Sequence, residues 1–129
     1  MGWAIAAICI GSCIGGLSRW ALGLCLSGSG ALIPWGTLAA NWIGGYLIGV
    51  AVAFFQAMPQ LDPAWRLAVI TGFLGGLTTF SSFSAEVVGL LLQQRYILAL
   101  GTASMHVVGS FMLTALGIWS FQSRFHPGG

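Results

Sequence analysis

Four stretches of the chain are apolar and nearly free of charge over the ~20 residues that a helix needs to cross ~30 Å of hydrocarbon. The first runs from about Trp3 to Leu26 and is broken by Ser27-Gly28-Ser29-Gly30. The second runs from about Trp35 to Ala57, and the two prolines and Asp62 of the stretch from Met58 to Pro63 end it. The third spans about Ala64 to Leu92 and the fourth about Tyr96 to Phe121, leaving a tail with Arg124, His126 and Pro127. Trp3, Trp20, Trp35, Trp65, Tyr96 and Trp119 fall mostly near segment ends, where aromatic anchors meet the membrane interface. The pattern predicts an all-α membrane protein of four transmembrane helices, one domain over residues 1–129.

Composition makes the same point from another side. Of 129 residues, 57% are hydrophobic and 5% charged, against roughly 25% charged in soluble domains. Six charges cannot cover a water-exposed surface. They are Arg19, Arg66, Arg95, Arg124, Asp62 and Glu86. A net charge of +2 without a basic cluster gives no argument for nucleic acid. The first segment has no basic leader and is interrupted by Arg19, so it reads as a retained span rather than a cleaved signal. Cys9, Cys13 and Cys25 read as small packing residues rather than metal ligands. Four crossings put Arg66, Arg124 and Asp62 on one side and Arg95 on the other. So little asymmetry leaves the positive-inside rule almost silent. The chain either keeps one topology set by an arginine or two, or inserts both ways and pairs head to tail.

Polar residues at membrane depth default to functional hypotheses. Residues four apart share a helix face, and three such stripes recur. Thr37 and Asn41 align with Gly45 on the second helix. Thr102, His106, Ser110 and Thr114 align on the fourth, and Arg19 aligns with Gly15 and Gly11 on the first. The stripes are either a wet track or hydroxyls bonded to their own helix carbonyls. Small residues at the same spacing let helices approach closely in lipid. Four thin helices enclose little space, so a permeation path needs contacts between chains.

The third segment departs from the pattern. It reads Gly72-Phe73-Leu74-Gly75-Gly76-Leu77-Thr78-Thr79-Phe80-Ser81-Ser82-Phe83-Ser84-Ala85-Glu86. Glycine costs ~1 kcal/mol in a helix interior and threonine is a weak helix former, so the helix is predicted to break mid-membrane around Gly75 to Thr79. Freed backbone survives at that depth only when it is buried in protein or lines a polar cavity. Broken helices offer carbonyls to cations and amide N–H groups to anions. Phe80 and Phe83 follow the break, interleaved with Ser81, Ser82 and Ser84. Aromatic rings carry positive edges that can attract an anion, although packing is the commoner use of such a pair.

The run Gly72 to Phe83 resembles the signature of the small microbial fluoride channels, the Fluc family. Gly15-Gly16-x-x-Arg19 is similar to that family's first-helix motif, and Gly36-Thr37 through Asn41-x-x-Gly44 to its second. The resemblance covers essentially the whole chain. It implies an antiparallel, dual-topology homodimer with two fluoride pores. Phe80 and Phe83 would be the pore-lining aromatics and Asn41 the adjacent donor, with Ser81 and Ser84 beside them. A polar track would follow Thr37, Glu86, His106, Ser110 and Thr114, and Arg19 would lie near a pore mouth. The backbone carbonyls of Gly75 and Thr78 would hold a structural Na⁺ at the dimer interface. Partners would be fluoride, the lipid bilayer of a bacterial inner membrane and a second copy of the chain.

Such a channel would pass fluoride downhill out of the cytoplasm and protect against its toxicity. Hydrogen-bond donors would replace the ion's water without holding it too tightly. Glu86 is an apparent contradiction: it either carries a proton or accepts bonds from the track hydroxyls. No nucleotide loop or nucleophile–base pair argues for an enzyme. The alternative is a small multidrug-type proton-coupled antiporter, but such a protein needs a carboxylate in its drug site, typically on the first helix, where this chain has Arg19. A structural subunit of a larger complex would not require the interrupted third helix.

Overall fold

The structure, a computed structural model, describes residues 1–28 and 30–125. His126 and Pro127 of the expected tail, and Ser29 of the expected Ser–Gly break, lie outside the described residues. Four helices are long and apolar enough to cross a membrane: α1 (Gly2–Leu26), α2 (Trp35–Ala57), α3 (Pro63–Leu92) and α4 (Tyr96–Phe125). No strand occurs among the described residues. Three spans match their predicted limits to within a residue. The fourth continues four residues past Phe121, because Gln122, Ser123 and Arg124 end the apolar run without ending the helix. Asp62 starts α3 by accepting the Ala64 amide at 2.9 Å, with Pro63 in the first turn, where its missing N–H costs nothing.

Spans α1 and α3 run parallel and pack backbone to backbone. A methyl group on Gly15 would strike the Phe73 carbonyl; one on Gly76 would fall 2.7 Å from the Ser12 carbonyl, and one on Gly72 2.9 Å from that of Ile8. Spans α2 and α4 also run parallel. Gly49 abuts the Thr114 carbonyl, and the Trp42 indole donates to the Met105 carbonyl at 2.9 Å. Tyr46 meets the Ser120 hydroxyl at 2.9 Å across the same seam. Such close approach is how helices gain contact where lipid is as apolar as the side chains. The core is correspondingly small: Ala40, Ala51, Leu74 and Leu77 form its centre. Cys9, Cys13 and Cys25 are exposed on α1, so they are not the packing residues expected from the sequence.

The third span is broken within the expected stretch, at Thr78 and Thr79 rather than at the glycines themselves. Its first arm opens with one α-helical turn (Pro63–Arg66), winds as a π-helix over Leu67–Leu74 and regains one α-turn over Gly75–Leu77. The chain then becomes extended at Thr78 (φ −83°, ψ 155°) and Thr79 (φ −149°, ψ 120°). The second arm, Phe80–Leu92, resumes as a helix capped by Thr79, whose hydroxyl accepts the Ser82 amide at 3.1 Å. Gly76 stays helical because it is needed against α1. The two β-branched threonines, comfortable in extended backbone, carry the interruption.

Beyond Leu92 the chain reverses within three residues. The Arg95 amide reaches the Leu90 carbonyl at 2.9 Å and the Gln94 amide the Leu91 carbonyl at 3.0 Å, a Schellman closure. Gln94 occupies the left-handed position, with φ 60°.

Candidate functional site

Breaking a helix frees backbone groups that must find partners. At Thr79 the partner is a side chain 38 residues away. Asn41 on α2 accepts the Thr79 amide through Oδ1 at 2.7 Å and donates through Nδ2 to the Thr79 carbonyl at 3.0 Å. The carboxamide therefore pairs with one extended residue as a neighbouring strand would. Its second N–H lies 3.0 Å from Nδ1 of His106 on α4. All hydrogens of the Asn41 amide are thus engaged. On the far side of the break, Nε of Arg19 donates to the Gly76 carbonyl at 3.1 Å. The interruption is held from α1 and from α2.

The aromatic pair divides. Phe83 is buried, its ring 4.5 Å from the His106 ring and nearly parallel to it at 29°. Phe80 is 78% exposed and meets Phe83 edge to face, with centroids 5.5 Å apart. One face of the break opens into a cleft of about 480 Å³ whose lining includes Asn41, Phe80, Phe83, His106, Ser110 and Thr114, together with Gly75 and Thr78. The structure thus brings eight of the thirteen predicted site residues to one place.

The other five lie around it. Thr37, one turn before Asn41 on α2, donates to Oε1 of Glu86 at 2.6 Å. Glu86 lines a separate pocket of about 330 Å³ with Gln93 and Arg95, at the end of the bundle where α3 turns into α4. Ser81 is exposed, its hydroxyl 3.2 Å from that of Thr79. Ser84 is half-buried on the second arm. Arg19 acts on the break from the α1 side.

Some hydroxyls at the cleft are spent on backbone carbonyls. Thr114 donates to carbonyls of Gly45 (2.8 Å) and Ser110 (2.9 Å), and Thr78 to that of Leu74 (2.8 Å). Three buried polar atoms among the described residues have no partner: Oε2 of Glu86, Oγ1 of Thr102 and Nε2 of His106. Thr37 and Asn41 lie one turn apart on α2, as do Thr102 and His106 on α4, so these atoms follow one seam between α2, α3 and α4. Thr79 is the residue that sequence reasoning did not single out. The hydroxyl that caps the second arm at Ser82 was a local signal for it; its pairing with Asn41 was not.

The carbonyls at the break also fit a cation. The amides that would regularly bond those of Gly75 and Thr78 are diverted, Thr79 to Asn41 and Ser82 to the Thr79 hydroxyl. Both residues line the cleft. Free carbonyl oxygens are hard ligands of the type that suits a small hard cation.

Four apolar spans, one of them interrupted and cross-braced by its neighbours, define a small multi-pass membrane protein whose polar chemistry is gathered at mid-span. Residues 6–118 match the family described as CrcB-like protein, Camphor Resistance (CrcB), and the chain belongs to that family. It is 68% identical over 115 residues to a protein of Albidiferax ferrireducens named fluoride-specific ion channel FluC, covering 89% of this chain and 88% of that one. Proteins of the same name in Variovorax paradoxus and Pseudomonas syringae pv. maculicola are 62% identical (92% and 94% covered) and 52% identical (92% and 94% covered). The comparisons lend no support to a proton-coupled drug antiporter.

Proposed function

We propose that this protein is a fluoride channel of the bacterial inner membrane. It passes fluoride passively out of the cytoplasm and is not an enzyme. The observation that carries the reading is the cleft at the helix break, where an amide, an imidazole, hydroxyls and two aromatic rings converge in an otherwise apolar bundle. Relatives that share most of the chain bear the name of fluoride channels.

Fluoride is small and strongly hydrated, so a path for it must exchange water for donors in weak steps. His106, the Ser110 hydroxyl and the polarised edges of Phe80 and Phe83 are the groups at the cleft. Asn41 acts first on the backbone, holding Thr79 extended so that the rings stand where they do. Thr37 and Glu86 continue the path toward the pocket beside Arg95.

The cleft is open on one side of a single chain, and Phe80 and Phe111 stand exposed at it. An antiparallel second copy would close it, giving a dual-topology homodimer with two pores. The Gly75 and Thr78 carbonyls would hold Na⁺ at the centre of that contact. The ion would neutralise the freed carbonyls and tie the two broken helices together. Purification without Na⁺ should then shift the protein from dimer toward monomer, as read by cross-linking.

Anion selectivity of purified protein in liposomes tests the function. Fluoride should leave down its gradient without a proton gradient while chloride stays inside. Loss of both ions, or of neither, would reject the reading.

A further inference from the structure

We infer that His106 makes the fluoride path sensitive to protons, because its contact with Asn41 exists only while the imidazole is neutral. The inference rests on the reading of the cleft as an anion path. Its basis is the donor and acceptor count at the break. The Thr79 amide can only donate and its carbonyl can only accept. Pairing with both therefore fixes the Asn41 carboxamide with Oδ1 toward the amide and Nδ2 toward the carbonyl. The Nδ2 hydrogen left over points at Nδ1 of His106, 3.0 Å away. Nδ1 must accept, so the ring proton sits on Nε2.

That assignment has two consequences. Nε2–H is a buried donor with no partner among the described residues, on a side chain 3% exposed that lines the cleft. A buried donor left unmade is costly, and an anion passing from the cleft to the ring would satisfy it. Second, a proton added at Nδ1 would set N–H against N–H at 3.0 Å. Rotating the carboxamide offers no escape, since it would turn Nδ2 onto the Thr79 amide. Either the ring leaves Asn41 or Asn41 loosens its hold on Thr79. The new imidazolium would meanwhile stay against the Phe83 face, where cations are favoured, and would hold fluoride as a full charge pair. Conduction needs binding weak enough for the ion to leave, so both effects slow it.

Few other groups could produce such a response. α2 faces His106 with uncharged Asn41. The second arm of α3 presents Phe83 and, one turn on, Glu86, whose carboxyl is bonded by Thr37. Arg19 reaches the break from the opposite side, at Gly76. Arg95 and Arg124 stand at the two ends of the bundle, and Tyr46 bonds Ser120 further along α2.

The test is voltage-driven fluoride current through purified protein in planar bilayers, at fixed fluoride and between about pH 8 and pH 5, where histidines titrate. The wild-type current should fall about fivefold in acid along a one-proton curve. His106→Gln keeps an acceptor and a donor but does not titrate, so its current should be flat with pH whatever its absolute size. Glu86→Gln should retain the fall. A flat wild-type profile, or a fall that persists in His106→Gln, overturns the inference while leaving the channel reading intact; wild-type protein that carries no fluoride current at any pH overturns both. Nitrogen-15 spectra of the imidazole in wild-type protein give a second readout. Nε2–H at neutral pH supports the inference, and Nδ1–H overturns it even if His106→Gln fails to assemble.

Discussion

The two seams that hold the third span are built from opposite materials. Against α1, its first arm packs through Gly15, Gly72 and Gly76, backbone on backbone. Against α2 and α4, the break and the second arm are joined by hydrogen bonds through Asn41, His106 and Thr37–Glu86, and a cleft is left beside them. Each seam makes the other possible. Interrupting a helix in lipid frees groups worth several kcal/mol apiece unless they are satisfied. The glycine seam holds the first arm in place so that one carboxamide can satisfy the extended residue beyond it. The tight seam is structure, and the loose one leaves the cleft proposed as the ion path.

The contrast breaks most completely at Gly15. A Gly15→Val side chain would meet the Phe73 backbone, which cannot turn aside as a flexible side chain does. The cost should exceed the roughly 1–3 kcal/mol of ordinary overpacking, and the variant should not yield monodisperse protein on size exclusion. Asn41→Ala acts on the other seam. It leaves the Thr79 amide and carbonyl unpaired at about 1–3 kcal/mol each, so fluoride efflux should fall on the order of a hundredfold while folded protein is still recovered.

The rings sharpen the comparison within the polar seam. Phe83→Ile and Phe80→Ile should each slow efflux by about tenfold or more while the proposed dimer still assembles. Only Phe83→Ile should also lower the melting temperature, because Phe83 is buried against His106 and Phe80 is exposed. Undiminished efflux in both would reject the ring-edge role. The smallest effect lies outside both seams. Gln94→Gly relieves a left-handed residue and should stabilise the protein by about 0.4–1 kcal/mol, read in thermal melts, with fluoride efflux unchanged.

The spans were legible because hydrophobic length in a membrane is set by bilayer thickness, and α2 ends where Pro59 and Asp62 say it must. The break was legible: Thr78 and Thr79, the extended residues, lie at the far end of the stretch from Gly75 to Thr79 where weak helix formers foretell it. Glycine is a poor helix former in isolation, yet Gly76 remains helical because close contact with α1 outweighs its propensity. The π-helical winding of Leu67–Leu74 left no mark that local reasoning could use. Asn41 was singled out as a donor to an anion. Its bond to Thr79, which consumes that donor, depends on how α2 and α3 pack and is invisible in a linear stripe. His106 and Ser110 were legible as a line on α4, whereas Thr114 lies in that line and spends its proton on carbonyls.

Efflux from liposomes containing equal amounts of wild-type and Asn41→Ala protein, measured for fluoride and chloride in parallel, bears most directly on the claim that the braced break is the ion path. Rapid fluoride loss is expected from wild type only, with chloride retained in both. Equal fluoride rates from the two proteins, with Asn41→Ala folded, would contradict it.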